Sequence, residues 1–259
     1  GVDLAAINSV LNWAVAQDIL AENRASRVKR KIRKGTEAAN RRRKSLNDDE
    51  AHAILRRALA AAIGSSREDP KLTAAKRWVP WLMAYTGTRV GEVAQLRKSD
   101  VIKFDGHWAI AISMDAGTVK TKSTWHIPLH PHLIEQGFIT FAEQSGDGHL
   151  FLTPRPDLYR PDAKASRTKD PRGILGPLQA LKNKLASFAK EAMPNDTGPA
   201  PNHGWRHRFK AKAREHGIDQ EVRDAFADHA SGSVAGNYGK DELFAAMVAA
   251  LRKITRYHV

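Results

Sequence analysis

Four polar residues in the last quarter of the chain have the types that covalent attack on a phosphodiester requires. His203 and Arg206 occur in the string HGWRH, and His229 and Tyr238 follow in DHASGSVAGNY. A tyrosine phenol titrates near ~10, so a neighbouring base must accept its proton as attack begins. Negative charge then spreads over the non-bridging phosphate oxygens, which a guanidinium can hold through paired hydrogen bonds. The series therefore predicts a tyrosine nucleophile set among cationic groups.

Two more basic residues precede this series. Arg89 stands in TGTRVGEVAQLRKSDV and Lys120 in TVKTKSTWHIPLHPHL. The six residues resemble, in order and approximate spacing, the catalytic set of the tyrosine recombinases, the phage integrase family: Arg89, Lys120, His203, Arg206, His229 and Tyr238. Lys120 precedes Pro128 by eight residues and His229 precedes Tyr238 by nine, and both intervals match the family pattern. One such string is common by chance, whereas the ordered set is specific.

The resemblance runs from the start of the chain to about Tyr238 and departs from the family pattern in two places. Ala227-Asp228 stands where the family commonly has Leu-Gly before the histidine of its third motif. Aspartate tolerates left-handed backbone better than most residues, so a glycine-like turn can be retained there. Trp205 replaces the usual aliphatic residue inside HGWRH, which we interpret as a change in packing.

The resemblance implies a role for each residue of the set. Tyr238 attacks the scissile phosphate to form a 3′-phosphotyrosyl link, with His203 as its base. The charge of the pentavalent transition state is stabilised by Arg89, Arg206 and His229. Lys120, on a hairpin, protonates the departing 5′ oxygen.

Two neighbouring residues supplement this set. Strand alternation places Lys122 on the same face as Lys120, so the general acid stays open between them, with Lys120 preferred for its spacing to Pro128. Glu92, one helical turn after Arg89, would orient neighbouring groups without touching DNA. Taken alone, the Arg89 and Glu92 pair would be an ordinary surface ion pair worth roughly a few tenths of a kcal/mol. The two lysines alone would be ordinary residues of an edge strand.

The histidine-rich strings raise the question of a metal site, which their surroundings argue against. His207 lies four positions after His203, but the string lacks a metalloprotease glutamate and contains an arginine that would repel a cation. His126, His130 and His132 surround two prolines at a strand exit, which favours a location at the surface or at the DNA edge. The sequence also lacks a GxxxxGKS loop, so neither a metal nor a nucleotide cofactor is expected.

The composition indicates a polyanionic partner. The 259 residues include 42 Lys and Arg against 28 Asp and Glu, a formal net charge of +14. Because no apolar run approaches the ~18 residues of a membrane span, nucleic acid is favoured over a membrane. Cysteine is absent, which excludes a disulfide framework and fits a reducing cytoplasm.

Much of this charge lies in one segment. From Arg24 to Lys44 the chain has eleven Lys or Arg residues and one acid, Glu37. Such runs are commonly solvated linkers, but counterion release favours contact with the DNA backbone. The residues predicted to contact DNA at the end of this segment are Arg41, Arg42, Arg43 and Lys44.

The predicted organisation has three parts. Residues 1–27 resemble the end of the DNA-grasping domain that precedes the catalytic domain in this family, residues 28–45 form a basic linker, and residues 46–259 form the catalytic domain. The native protein is accordingly expected to be longer. Helical periodicity is found over 4–20, 47–62, 72–86 and from 177 onward, with short strands between 101 and 129. The expected fold is mainly α with a small antiparallel β-sheet, an α+β fold of the integrase-like type.

These features predict a site-specific DNA recombinase acting on double-stranded attachment sites. The family resemblance implies four protomers on DNA, and it leaves open an accessory DNA-bending protein. A type IB topoisomerase shares the chemistry but relaxes DNA as a monomer. An integrase-fold DNA-binding regulator without catalysis is the other alternative, which Asp228 leaves open.

Overall fold

The chain divides into two compact units, Gly1–Arg42 and Arg43–Val259. A computed structural model describes residues 4–28, 43–61, 68–113, 124–158, 170, 172–193, 198–226 and 240–259. The predicted three-part division at residues 27 and 45 stays a prediction. None of the described helices has the length and apolar composition that crossing a membrane requires.

In its described residues, 4–28, the first unit contains one helix closed by a short turn. Helix α1, Leu4–Ala16, ends four residues earlier than its predicted limit, and a 3-10 turn follows at Arg24–Arg27. Asn23 caps this turn through its side-chain oxygen, and its Nδ2 donates to Asn8 Oδ1 (3.0 Å) and Asn12 Oδ1 (2.7 Å). These amide contacts hold the turn against the polar side of the helix.

The second unit is built mainly of helices. They are α2 (Asp48–Leu59), α3 (Pro70–Thr86), α4 (Val90–Ala94), α5 (Pro131–Glu135), α6 (Phe138–Gln144), α7 (Leu175–Ala192), α8 (Pro201–Glu215), α9 (Gln220–Phe226) and α10 (Lys240–Leu251). Helix α3 is central, since it packs against α2, α4, α7 and α8. From Leu72 to Thr86 all its side chains but that of Lys76 are buried, so this helix lies inside the core rather than at its surface.

Helix α2 begins one residue into the predicted helical segment, 47–62, and Asn47 caps it. Asn47 Oδ1 accepts from the Glu50 backbone N–H (2.8 Å), and Glu50 Oε2 accepts from the Asn47 N–H (2.8 Å). This reciprocal capping box satisfies two donors that a helix start leaves without intrahelical partners. Glu50 is only 1% exposed, so the cap is part of the packed interior.

The sheet has the predicted antiparallel form. Strands β1 (Val101–Phe104), β2 (His107–Ile112) and β3 (Trp125–Pro128) pair in the order β1-β2-β3. Asp105 and Gly106 join the first two with φ values of 46° and 74°, the positive dihedrals that a tight two-residue hairpin needs. The fold is therefore mainly α with a small three-stranded antiparallel sheet, as predicted.

The end of the chain packs on the same subunit. Helix α10 lies against β3 and α9, and its apolar residues join the core. Phe244, Met247 and Leu251 are each less than 5% exposed, and Ile254 beyond the helix is 8% exposed. This tail therefore completes the core of the second unit.

Candidate active site

Four of the predicted site residues line one cleft where α4, α7 and the start of α8 meet. They are Arg89, Glu92, His203 and Arg206, and a fifth polar residue, Lys182, joins them from α7. The cleft is open to solvent and has a volume of about 370 Å³. Residues more than 100 positions apart in sequence are thus brought to one surface that carries three permanent cations and one carboxylate.

Arg89 is fixed at the start of α4 by Glu92. The Glu92 carboxylate accepts from the Arg89 backbone N–H (2.7 Å) and from its Nη1 (2.6 Å). The Glu92 side chain is 7% exposed and that of Arg89 is 39% exposed. A buried carboxylate therefore holds a guanidinium that still reaches the cleft, which limits the rotamers that Arg89 can adopt.

Arg206 is anchored to the turn that carries Arg89. The Arg206 guanidinium is buried, and its Nη1 donates to the carbonyl oxygen of Gly87 (3.1 Å). Gly87 ends α3 with φ +65°, and a Cβ there would lie 2.5 Å from Cδ1 of Phe209 on α8. Only glycine allows both this backbone conformation and this close approach. The turn from Gly87 to Arg89 therefore sets the positions of both arginines.

His203 lies in the first turn of α8, on the exposed side. The helix begins at Pro201, because proline is well suited to a first helical position. The His203 ring contacts that of His207 edge to face, with centroids 4.7 Å apart. Burial lowers the pKa of His207, and electrostatic interactions with His203, Lys44 and Arg206 lower it further. His207 is therefore a neutral neighbour of the cleft near pH 7.

Lys182 is a cleft residue that the sequence reasoning missed. Its Nζ donates to Gln179 Oε1 (3.0 Å), and its backbone carbonyl accepts from Asn202 Nδ2 (3.0 Å). The second bond joins α7 to the first turn of α8, beside His203. The only sequence signal is its place next to the buried Leu181 on an amphipathic helix, which does not say what that helix faces.

The remaining predicted catalytic residues lie outside the described residues. Lys120 and Lys122 fall between β2 and β3, and His229 and Tyr238 fall between α9 and α10. Asp228 belongs to the same segment as His229. The roles assigned to these residues stay predictions.

The basic segment is described only at its end. Arg41 and Arg42 lie outside the described residues, whereas Arg43 pairs with Glu50 through Nη2 to Oε1 (2.8 Å) and Nη1 to Oε2 (3.3 Å). Arg43 is thus tied to the capping box of α2, with its side chain 52% exposed. Lys44 is exposed and lies close enough to α8 to affect His207. DNA contact by these residues stays a prediction.

The surface location predicted for the histidines near β3 is wrong for His130. His130 is 4% exposed, stacks on Tyr85 with centroids 4.1 Å apart, and its Nε2 lies 3.1 Å from the Ile254 carbonyl oxygen. His132 Nδ1 lies 2.7 Å from the Tyr85 hydroxyl. These rings therefore hold the end of the chain against α3. Across the described part of the chain, no three His, Asp or Glu side chains are grouped so as to hold a metal ion.

Tyr257 lies against α8. Its hydroxyl accepts from Arg208 Nε (3.1 Å), and its backbone N–H donates to the Tyr85 hydroxyl (3.1 Å). Burial raises the pKa of both phenols. A raised phenol pKa opposes the deprotonation that a nucleophile needs, so neither tyrosine suits that role. Of the four tyrosines, Tyr159 and Tyr238 lie outside the described residues.

The chain is similar to several solved structures at low sequence identity. No family model matches the chain, and no curated protein matches it. Among solved structures it is similar to an integrase from mycobacterium phage Brujita, at 18% identity and TM-score 0.49 over 99% of this chain and 72% of that one. It is also similar to XerA recombinase, at 16% identity and TM-score 0.45 over 97% of this chain and 75% of that one.

A third similar structure is XerH site-specific recombinase bound to its difH substrate. The identity is 17% and the TM-score 0.47, over 89% of this chain and 60% of that one. At identities this low, its function is to be inferred from its own residues.

Proposed function

We propose that the protein is a tyrosine-type site-specific recombinase that cleaves and rejoins duplex DNA through a 3′-phosphotyrosyl intermediate. The observation that carries the proposal is the joining of Arg89 and Arg206 in one cleft through the Gly87 turn. His203 lies in the same cleft, one helical turn before Arg206. Two arginines and a histidine at one surface suit a phosphate that gains charge during reaction.

The arginines would act on the non-bridging oxygens of the scissile phosphate. Hydrogen bonds from a charged donor contribute about 1.5–3 kcal/mol each, and they strengthen as the phosphorus becomes five-coordinate. Arg89 enters the reaction already oriented by Glu92, and Arg206 by the Gly87 carbonyl. Little side-chain entropy is then lost when the phosphate binds, which favours the transition state over the free enzyme.

The bond changes involve residues outside the described part of the chain. Tyr238 Oη would attack phosphorus as His203 accepts the phenolic proton, and the bond from phosphorus to the 5′ oxygen would break. Lys120, or Lys122 in its place, would donate a proton to that oxygen, with His229 supporting the transition state. The phosphotyrosyl bond conserves the energy of the phosphodiester, so a free 5′ hydroxyl can reverse the reaction without a cofactor.

The partners follow from this chemistry. The substrate would be a pair of double-stranded attachment sites, and exchange between two duplexes would use four protomers, with an accessory DNA-bending protein left open. Arg41, Arg42, Arg43 and Lys44 would contact the phosphate backbone outside the cleft. We place the reaction in the cytoplasm of a bacterial or phage-infected cell, on nucleoid DNA.

The test uses nicked suicide duplexes tiled from the DNA that flanks the native gene. Cleavage next to the nick releases a short fragment, so a covalent protein–DNA adduct accumulates and survives detergent. The wild type should form the adduct, and Tyr238→Phe should not. Arg206→Lys should slow adduct formation about 100-fold or more, since a lysine cannot replace the bidentate donor. Arg214→Lys, an exposed change on the same helix, serves as the matched control.

Each other outcome selects a different function. Binding without an adduct would favour a DNA-binding regulator, and an adduct that persists in Tyr238→Phe would refute the proposed nucleophile. Relaxation of supercoiled plasmid of any sequence would favour a type IB topoisomerase. Site-dependent adducts that require Tyr238 support the recombinase.

A further inference from the structure

We propose that Lys182 binds a DNA backbone phosphate in the cleft of Arg89 and Arg206. This inference rests on the proposed function, since it assigns the cleft an additional phosphate contact. Lys182 comes from α7, whereas the two arginines come from α4 and α8. A third element would therefore take part in placing the DNA strand.

The position of Lys182 is set by contacts on both sides of its helix. A Cβ added at Gly91, in the first turn of α4, would lie 4.0 Å from Lys182 Cδ. The aliphatic stem thus runs beside the turn that follows Arg89. The Lys182 backbone carbonyl accepts from Asn202 Nδ2, which fixes α7 against the start of α8. The half-buried stem and the hydrogen bond to Asn202 together limit the positions that the Lys182 ammonium group can take.

Within the described residues, no carboxylate pairs with the Lys182 ammonium group. Its Nζ donates to the neutral amide oxygen of Gln179. Within the described lining of the cleft, Glu92 is the one carboxylate, and it accepts from the backbone and side chain of Arg89. Lys182 thus brings a third cation to the cleft that Arg89 and Arg206 line, and a bound phosphate would supply an anion for these cations.

The simplest alternative is that Lys182 is a solubilising lysine of a helix surface. Lys184, two positions further along α7, is exposed and provides the comparison. The two residues have the same charge and the same helix, but only Lys182 lines the cleft. A difference between their alanine variants therefore reports on the cleft rather than on total charge.

The first experiment measures binding of the full chain to a fluorescent 30-base-pair duplex over a series of salt concentrations. Loss of one phosphate contact should reduce the slope of log K against log salt by about 0.9 and weaken binding at low salt about tenfold. We expect this in Lys182→Ala and Lys182→Gln, with a wild-type slope in Lys182→Arg and Lys184→Ala. Equal slopes in wild type and Lys182→Ala, or equal losses at both lysines, would overturn the inference. A wild-type slope in Lys182→Arg would show that the loss in Lys182→Ala comes from the missing charge and not from a folding defect.

The second experiment identifies the phosphate on a cleavable duplex. Single phosphates are replaced in turn by uncharged methylphosphonates. At one position the deficit of Lys182→Ala in adduct formation should disappear, because the contacted charge is already absent. A deficit that is the same at every position would overturn the inference. A duplex with sulfur in place of the 5′-bridging oxygen gives a second check, because a thiolate leaves without a proton donor. Adduct formation by Lys182→Ala at the wild-type rate on this duplex would show that Lys182 is a general acid, and it would also overturn the inference.

Failure of the inference can be distinguished from failure of the proposed function. If the wild type binds DNA but forms no adduct, the recombinase proposal fails and the salt slopes still decide the role of Lys182. If the wild type forms adducts and Lys182→Ala shows the wild-type slope, only the inference fails. If the wild type does not bind duplex DNA, both are refuted.

Discussion

Replacing Gly87 with alanine should disturb the turn that positions both arginines. Gly87 has φ +65°, and its carbonyl oxygen accepts from Arg206 Nη1. A methyl group there would lie 2.5 Å from Cδ1, 2.8 Å from Cγ and 3.0 Å from Cβ of Phe209. The substitution therefore adds backbone strain and steric overlap at one point in the core.

The two costs can be estimated separately. Left-handed backbone costs a residue with a Cβ about 1–2 kcal/mol. Overpacking in a dense core typically costs about 1–3 kcal/mol, because Phe209 is buried and can shift only by moving α8. Gly87→Ala should thus lower the free energy of unfolding by about 2–5 kcal/mol, a large part of the stability of a typical domain. Because α8 carries Arg206, adduct formation should also slow.

Urea unfolding of the full chain, followed by circular dichroism, measures this cost, and a double-mutant cycle with Phe209→Ala separates its two parts. Without the Phe209 ring, whose atoms make the two shortest contacts, the cost of Gly87→Ala should fall toward the backbone part, about 1–2 kcal/mol. Gly91→Ala is the matched control, since its nearest neighbour would be 4.0 Å away and alanine favours the helix. An equal cost of Gly87→Ala in both backgrounds would refute the proposed overlap.

Three further predictions concern the buried polar contacts. Glu92→Gln should slow adduct formation about tenfold and lower the free energy of unfolding by about 1–3 kcal/mol, because Arg89 loses its charged partner. Burial lowers the pKa of His130, so the native state stays neutral while the unfolded state gains a proton below pH ~6.5. The free energy of unfolding should therefore fall by up to roughly 1.4 kcal/mol per pH unit as pH drops, and His130→Gln should remove this part of the slope in urea titrations at pH 7, 6 and 5. Tyr257→Phe should lower the free energy of unfolding by about 1–3 kcal/mol, since Arg208 Nε loses its acceptor, and should leave adduct formation unchanged. Loss of the adduct in a folded Tyr257→Phe variant would contradict the exclusion of that tyrosine.

Features set by neighbouring residues could be predicted from sequence. Asn47 with Glu50, three positions on, specifies the start of α2 through the capping box. Gly106 marks the tight turn of the hairpin, where two consecutive residues have positive φ. Arg89 at the start of α4 follows from the breaker that Gly87 provides. In each case, the physical cause lies within a few residues of its effect.

Features set by packing between distant elements could not be predicted in this way. Lys182 enters the cleft only because α7 packs against α4 and α8, which the periodicity of α7 does not encode. His130 is buried because the carbonyl of Ile254, 124 residues later, lies against its ring. Tyr257 meets Arg208 across 49 residues for the same reason. The sequence around each of these three residues does not indicate which distant element packs against it.

The most direct test of the central claim is to identify the residue that carries the DNA in a trapped adduct. Trypsin places the four tyrosines on separate peptides, and Tyr238 falls on the peptide Asp224–Lys240. Mass spectrometry of the nuclease-trimmed adduct should find a 3′-linked nucleotide on this peptide, at Tyr238. A nucleotide on the peptide of Tyr85, Tyr159 or Tyr257, or a 5′ linkage to Tyr238, would contradict the proposed mechanism.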